Sequence, residues 1–225
     1  MPRTRLTQQQ RKAKTREAIL TAATRLVAQR GFEGTSLDDI AGSVGLTKGA
    51  IYANFANKGA LVDALVARHA VPVDLAPLFR ADLALPDRLG LLGRGVAQLG
   101  RTLSRETAML DLEYRLFGLR NPRRREEERG RYQAERDDFF RRFEAVNDAR
   151  GESLALGTKE LLTSVGVLVR TVLLVGVEEP GSLPADAIER LFRLLGLSAI
   201  QPARPRSSAS PGDSSPQRSK PSKTR

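Results

Sequence analysis

The chain has 225 residues, a length that suits one compact body or a small module fused to a medium one. With 40% hydrophobic and 28% charged residues, wholesale disorder and a membrane-embedded body are excluded. Because the chain has no cysteine and a single histidine, His69, thiolate chemistry and a zinc site are excluded as well. We therefore expect no metal and no cofactor.

The net charge of +11 comes from the two ends of the chain. Residues 1–16 carry only basic charges, and residues 201–225 carry several basic side chains against one acid, Asp213. Such segments favour polyanions. We predict a basic arm over 1–12, and residues 3–16 either reach a DNA minor groove or form a solvated tail. The segment 201–225 is predicted to be disordered, and it either adds weak DNA affinity or only improves solubility.

Neither a signal peptide nor a membrane span is predicted. The first sixteen residues lack an apolar core, so we expect the protein in the cytoplasm. The longest apolar stretch, Leu161 to Val177, contains Arg170 and small or polar interruptions, and is interpreted as a buried helix.

The sequence pattern of the N-terminal part predicts four helices. The spacing of Ile19, Ala23, Leu26 and Val27 predicts an amphipathic helix over 11–30, which Gly31 ends.

Hydroxyl or amide caps mark the three helices that follow. Ser36 precedes Asp38 and Asp39, which favour the start of a helix. Thr47 begins a helix over 48–55 after a turn at Gly45, and Asn57 begins a last helix that ends before Pro72.

From Pro86 onward the pattern is helical. Helices are predicted near 86–104, 105–120, 122–150, 157–178 and 184–197, while the state of the apolar segment 75–83 is left open. The interleaved charges of 122–150 indicate a solvated face rather than a nucleic-acid surface, with Tyr132, Phe139 and Phe143 on its apolar stripe. The fold class is all-α.

Several motifs now stand together in order. These are Gly31-Phe32-Glu33-Gly34-Thr35-Ser36, Asp39-Ile40-Ala41, and the run from Val44-Gly45-Leu46-Thr47 through Ile51-Tyr52 and Phe55 to Asn57-Lys58-Gly59. Their pattern resembles the DNA-binding domain of TetR-type bacterial transcriptional regulators. The resemblance implies a three-helix DNA-binding domain over 13–72 with its helix-turn-helix at 36–55, and a helical effector-binding and dimerisation domain over 73–200. It also implies a homodimer, a double-stranded DNA operator with palindromic sequence and a small-molecule effector.

Donor side chains cluster at the predicted helix N-termini, where backbone amides also attract phosphate. By resemblance, these residues contact the DNA backbone or enter the major groove, the latter group including Ala53. For Tyr52 a purely packing role is the alternative. The predicted DNA-binding residues are Thr35, Ser36, Thr47, Lys48, Gly49, Ala50, Tyr52, Asn54 and Lys58.

The second domain offers weaker signals. Polar and aromatic groups on the predicted helix 105–120 make Glu113, Tyr114 and Phe117 candidate effector contacts, although such charges usually face water or form pairs. His69 is interpreted as a packing or capping residue. The apolar helices 157–178 and 184–197 predict a homodimer interface, with a purely intrachain core as the alternative.

The sequence thus predicts a ligand-responsive dimeric repressor. A non-specific architectural DNA-binding protein that uses its basic tails is the alternative. An enzyme is not expected, because the chain lacks a recognisable nucleophile and base pair, a phosphate-binding loop or a metal cluster, and no catalytic residue is assigned.

Overall fold

The computed structural model describes residues 7–201, so the predictions for residues 1–6 and for most of the tail fall outside it. Within that range the chain is helical, as predicted. The helices are α1 Gln8–Arg30, α2 Leu37–Ser43, α3 Lys48–Tyr52, α4 Lys58–Arg68, α5 Leu85–Thr102, α6 Arg105–Arg120, α7 Pro122–Arg131, α8 Gln133–Ala149, α9 Thr158–Glu178 and α10 Ala185–Ala199, with a 3-10 turn at Ala76–Phe79 between α4 and α5.

Helix α1 begins earlier than the sequence predicted. Thr7 forms a capping box with Gln10, in which each side chain accepts a hydrogen bond from the other residue's backbone N–H. Arg11 and Lys12 therefore lie in the first turns of α1 rather than in an extended arm. The rest of the predicted arm includes residues 1–6, which lie outside the described range.

The predicted caps of the short helices are confirmed. The side chains of Ser36, Thr47 and Asn57 each accept a hydrogen bond from the backbone N–H three residues on, in α2, α3 and α4 respectively. Between α2 and α3, Gly45 has φ +65°, a conformation that residues with a Cβ rarely adopt. Local sequence thus fixes the angle between these helices.

The first core lies among α1 to α4. It contains Ile19, Ala23 and Ile51, all fully buried, together with Phe32 and Phe55. Helix α6 also packs against this core through Leu110, although α6 belongs to the second half of the chain. The domain boundary at residue 72 stays a prediction.

The second core is organised around α5. Leu85 and Leu89 of α5 are fully buried against α9 and α10, and Phe192 of α10 and Phe143 of α8 are equally inaccessible. An isolated antiparallel bridge between Leu154 and Ile200 ties the end of α10 to the loop before α9. This core holds the greater part of the chain together.

A buried arginine sits inside the second core. The guanidinium of Arg88 is inaccessible to solvent and donates to the carbonyl oxygen of Leu78 at 3.0 Å, to Oδ1 of Asn147 at 2.5 Å and to Oε2 of Glu152 at 2.7 Å. Burial lowers the pKa of Arg88, and the Glu152 carboxylate opposes that shift. These bonds tie α5 to the 3-10 turn at Ala76–Phe79, to α8 and to the loop that follows α8.

The predicted helix 122–150 is interrupted. It divides into α7 and α8 at Tyr132, which lies two residues after Gly130 and has non-helical backbone angles. Tyr132 is exposed, so its place on the apolar stripe was wrong, whereas Phe139 and Phe143 do pack against the second core. Exposed ion pairs such as Arg141 with Asp138 agree with a solvated face.

Helix α9 is the one helix within residues 7–201 that is long and apolar enough to cross a membrane by those two criteria. Core helices of soluble proteins meet the same criteria. Here α9 buries Leu161, Val165 and Val172 in the second core and leaves Val167 exposed. Its apolar surface is therefore only partly covered by the same chain.

Candidate nucleic-acid interface

The helix-turn-helix places α3 on the surface through a buried framework. Ile51 and Phe55 face the first core, so the opposite side of α3 and its N-terminus are open. Thr47, Lys48, Gly49 and Tyr52 are exposed there. These four predicted DNA-binding residues share one surface.

Two further predicted residues lie at the edge of this surface. Ala50 of α3 and Lys58 at the start of α4 are half-buried. Since Asn57 caps α4, the first backbone N–H groups of α4 and the Lys58 ammonium lie at the same helix end. Such an end attracts phosphate. We call the exposed residues Thr47, Lys48, Gly49 and Tyr52, with Ala50 and Lys58, the α3 face.

An acidic neighbour partly neutralises the positive charge of the α3 face. The ammonium of Lys48 lies 2.9 Å from Oδ2 of Asp38 on α2, and both side chains are more than half exposed. The hydrogen bond and charge of Asp38 raise the pKa of Lys48. Lys48 is thus held in one position as a cation, and a phosphate would compete with Asp38 for it.

The structure corrects the placement of Thr35, whereas Ser36 is exposed as predicted. The prediction put both hydroxyls on the exposed side, but Thr35 is 2% exposed and its hydroxyl donates to the carbonyl oxygen of Gly31 at 2.8 Å. Ser36 is exposed, yet its hydroxyl caps α2 and hydrogen-bonds to Asp39, which lowers the pKa of the Asp39 carboxyl. Both hydroxyls are engaged in local structure.

Asn54 lies beyond the end of the helix in which it was predicted. Helix α3 ends at Tyr52, and the side-chain amide of Asn54 donates back to the carbonyl oxygen of Ala50 at 2.8 Å. Its Oδ1 is buried and has no hydrogen-bond partner among the described residues. The neighbouring Ala53 is exposed. The Asn54 amide therefore faces the protein rather than the α3 face.

Arg16 of α1 is a contact that the sequence did not reveal. Its guanidinium lies 4.2 Å from the ring centre of Phe55 and donates to the carbonyl oxygen of Asn54 at 2.9 Å. The bond places a cation on the C-terminal end of α3, where helix carbonyls lack partners. Arg16 thus anchors α3 to α1. The contact has no local sequence signal, because 38 residues separate the two partners.

Comparison with known proteins identifies this arrangement. Residues 19–65 match the family described as "Bacterial regulatory proteins, tetR family". Over these residues the chain is similar to tetR-family regulators. The match runs from within α1 to within α4, so the helices that form the α3 face lie in the stretch that is similar to the family.

Two curated relatives are similar to this chain over part of its length. The chain is 34% identical over 84 residues to the transcriptional repressor BepR of Brucella suis, a stretch that covers 37% of this chain and 40% of BepR. It is 50% identical over 52 residues to the transcriptional regulator TtgR of Pseudomonas putida, covering 23% of this chain and 25% of TtgR. The matched stretches thus span less than half of these curated relatives.

The fold similarity extends further than the sequence similarity. Native NalD of Pseudomonas aeruginosa, described as the secondary repressor of the MexAB-OprM multidrug efflux pump, has a TM-score of 0.59 at 22% identity. The alignment covers 84% of this chain and 98% of NalD. The all-helical fold of NalD is therefore shared beyond the residues that match the family model.

A large cavity lies between the first and second cores. Its volume is about 760 Å³, within the roughly 300–1,000 Å³ typical of ligand pockets. Phe32 and Leu65 of the first core and Leu78 and Val165 of the second core line it. A molecule in this cavity would touch both cores at once.

The three predicted effector residues have different positions. Tyr114 lines the cavity. Glu113 and Phe117 do not: Glu113 accepts a hydrogen bond from the backbone N–H of Phe32 at 3.1 Å, and Phe117 packs on the Phe32 ring with 5.7 Å between centroids. Both lie where α6 meets the first core. One turn of α6 therefore contains both a cavity wall and an attachment to the first core.

Gly31 permits the Glu113 attachment. Its φ is +72°, and a Cβ at this position would lie 2.8 Å from Oε2 of Glu113. The turn after α1 therefore needs glycine both for its backbone conformation and for the close approach of α6.

A second attachment starts from Tyr114. Its hydroxyl donates to Oε2 of Glu128 at 2.6 Å, and Oε1 of Glu128 lies 3.3 Å from Nε of Arg124. Burial and the Glu128 carboxylate raise the pKa of Tyr114, so the hydroxyl stays a donor. Arg124 in turn forms an ion pair with Asp63 and donates to the carbonyl oxygen of Gly59 at 3.1 Å, both on α4.

His69 connects the end of α4 to α1. It is the C-cap residue of α4, and Nε2 lies 2.9 Å from the hydroxyl of Thr24. Its pKa is lowered, chiefly by burial and also by Arg68, with a smaller opposing effect of Glu106. This position agrees with a packing and capping role. Among residues 7–201, no group of three or more histidine or acidic side chains is arranged to hold a metal ion.

Proposed function

We propose that this protein is a dimeric transcriptional repressor that binds a palindromic DNA operator through the α3 face and is released by a small molecule in the cavity. The observation that carries the proposal is the exposed N-terminus of α3, supported by a tetR-family core. The protein would act on DNA in the cytoplasm, and no catalytic role is proposed.

The α3 face suits a DNA groove. Lys48 and Lys58 supply cations, while Thr47 and Tyr52 supply hydroxyl groups for phosphate oxygens. Gly49 and Ala50 leave room for base edges to approach α3. Thr35, Ser36 and Asn54 are left out of the direct contacts that we propose, since their side chains are engaged within the protein.

Dimerisation through α9 and α10 is supported by their uncovered apolar surface. Leu191, Leu194 and Leu197 of α10 are 44%, 61% and 57% exposed, and Val167 of α9 is 53% exposed. The other side of α10 buries Ile188 and Phe192 against the second core. A second copy of the chain would cover this surface and set two α3 helices about 34–36 Å apart for successive major grooves.

Release by an effector is supported by the position of the cavity. Tyr114 borders the cavity and leads through Glu128 and Arg124 to α4, which directly follows the helix-turn-helix. A ligand that moves α6 would therefore move α4 and change the spacing of the two α3 helices.

The first experiment measures operator binding by fluorescence anisotropy near ~150 mM salt, where non-specific phosphate contacts are weakened. The probes are the intergenic DNA upstream of the protein's own gene and a scrambled duplex, with a random-sequence selection to locate a more distant operator. We expect specific DNA to bind at least about 10³-fold more tightly. Equal affinity for every duplex would instead support an architectural protein.

Lys58→Ala tests the α3 face. We expect weaker binding to all duplexes and a salt slope reduced by about 1, as for the loss of one phosphate contact. Lys159→Ala is the matched control, because Lys159 is exposed on the distant helix α9. If the two variants bind DNA equally well, Lys58 does not contact the backbone.

Arg124→Met tests the connection to α4. We expect it to change operator affinity while the fold is kept, because it removes the bonds to Asp63 and Gly59. Arg123→Met, an exposed change one residue earlier in α7, is the control. Unchanged operator affinity in both variants would contradict the proposed route.

A further inference from the structure

We infer that the cavity binds an amphipathic anion, a molecule with an apolar body and one carboxylate-like head group. The inference rests on the proposed function in one respect, that the cavity is the effector site. It adds the chemical class of the effector, which follows from the walls of the cavity.

Most of the cavity wall is apolar. Apolar side chains from α4, the 3-10 turn, α5, α6, α8 and α9 contribute to it, and none of them offers a strong hydrogen bond. They include Leu78, Leu92, Phe139, Phe140, Leu162 and Val165. Each apolar group that such a wall removes from water stabilises the complex, so the body of the ligand should be hydrocarbon or aromatic.

The charges on the wall are unbalanced toward positive. Arg136 of α8 and Arg170 of α9 both line the cavity, and neither forms an ion pair or a side-chain hydrogen bond within residues 7–201. Asp111 is the one acidic residue of the described lining, and Arg115 already neutralises it through two bonds of 2.7 Å and 3.0 Å.

Two unpaired guanidinium groups beside an apolar wall select the head group. A guanidinium donates two parallel N–H bonds to a carboxylate, which is a strong and directional contact. A cationic head group would be repelled by the same two arginines. A neutral hydroxyl would form weaker, uncharged contacts. The wall therefore favours an anion over a neutral or cationic molecule with the same tail.

The test uses probes that share their tails. Isothermal titration calorimetry on the full chain, below the micelle concentration, would compare dodecanoate with dodecan-1-ol and with dodecyltrimethylammonium. Octanoate and hexadecanoate cover shorter and longer tails. We expect the best carboxylate to bind at least about tenfold more tightly than its alcohol, the value of one charge-assisted hydrogen bond, and the cation to bind most weakly.

Variants assign the preference to the two arginines. Arg136→Gln and Arg170→Gln, singly and together, should each reduce carboxylate affinity about tenfold or more without changing alcohol affinity. Because both residues are exposed, the variants should fold, which melting curves would check. Arg141→Gln is the control, an exposed arginine on α8 outside the cavity lining.

The inference is overturned if no carboxylate binds, if the alcohol or the cation binds as tightly, or if the glutamine variants keep the preference. Operator binding by the ligand-free protein is measured separately. Specific DNA binding without carboxylate binding would remove this inference and leave the proposed function in place. Carboxylate binding by a protein that shows no preference among DNA sequences would contradict the proposed function and leave the ligand class in place.

Discussion

The first and second cores are built on different principles. In the first core, α2, α3 and α4 are short helices whose starts are fixed by capping side chains, and Gly45 fixes the turn between α2 and α3, so this part follows from neighbouring residues. The 23-residue helix α1 joins it through contacts between residues distant in sequence, such as Arg16 with Asn54. The second core joins long helices around Arg88, whose partners Asn147 and Glu152 are 59 and 64 residues away. The comparison teaches that a recognition surface can be specified locally while a ligand-binding body depends on distant contacts.

Arg88→Met tests the second core and should have the largest effect. It removes one partner of a buried ion pair and leaves the Glu152 carboxylate and Asn147 amide without it, which costs about 3–5 kcal/mol. Chemical denaturation would measure the loss. Arg94→Met is the control, because the Arg94 pair with Glu189 is more exposed and is worth about 0–1 kcal/mol. Similar losses in the two variants would contradict the central role of Arg88.

Phe55→Ala tests the first core. Phe55 is 2% exposed, and its removal should open a cavity that costs about 3–5 kcal/mol and also free Arg16 from α3. We expect operator binding to be lost at temperatures where the second core is still folded, as circular dichroism would show. An unchanged melting curve would mean that Phe55 does not support α3.

Two glycine substitutions test whether backbone conformation at Gly45 fixes the turn between α2 and α3. Gly45→Ala forces a Cβ into a positive-φ conformation and should destabilise the protein by roughly 1–2 kcal/mol. Gly42→Ala, in α2, should stabilise it by about 0.5–1 kcal/mol. A Cβ would meet nothing within 4 Å at either position, so steric contact does not contribute to either change. Stability changes of opposite sign would therefore reflect the backbone conformation alone. The same sign in both melting experiments would contradict this explanation.

His69 should produce the smallest effect, at the junction of the two cores. Burial lowers its pKa below the ordinary value of 6.5, so between the two pKa values the unfolded chain binds more protons than the folded one. The neutral imidazole therefore stabilises the fold above pH 6.5, and this contribution is lost as the pH falls through 6.5 toward the folded pKa. We expect the melting temperature of the wild type to fall between about pH 7.5 and about pH 5.5 more than that of His69→Gln. Equal shifts would show that His69 does not carry the effect.

The sequence predicted the features that neighbouring residues determine. The caps at Ser36, Thr47 and Asn57 and the turn at Gly45 were correct, because each depends on a side chain and the next few backbone groups. The helical periodicity after Pro86 extended this to the all-helical fold, which the structure shows within residues 7–201.

What the sequence missed depends on distant contacts. The burial of Thr35 follows from tertiary packing around the turn after α1. Glu113 was predicted as a ligand contact. Its actual partner, the backbone N–H of Phe32, is 81 residues away, and the sequence gives no sign of this pairing. The break at Tyr132 lacks a proline and could not be located from periodicity alone. The cavity arises from packing between the two cores and has no sequence signal of its own.

The cavity between the cores has a consequence for how the protein unfolds. Because its walls come from both cores, a bound molecule loses its contacts when either core opens. The ligand then stabilises both at once, by about 2.7 kcal/mol at a free concentration about 100 times its dissociation constant. A protein whose two halves melt in separate steps without ligand should therefore melt in a single cooperative transition when the cavity is filled.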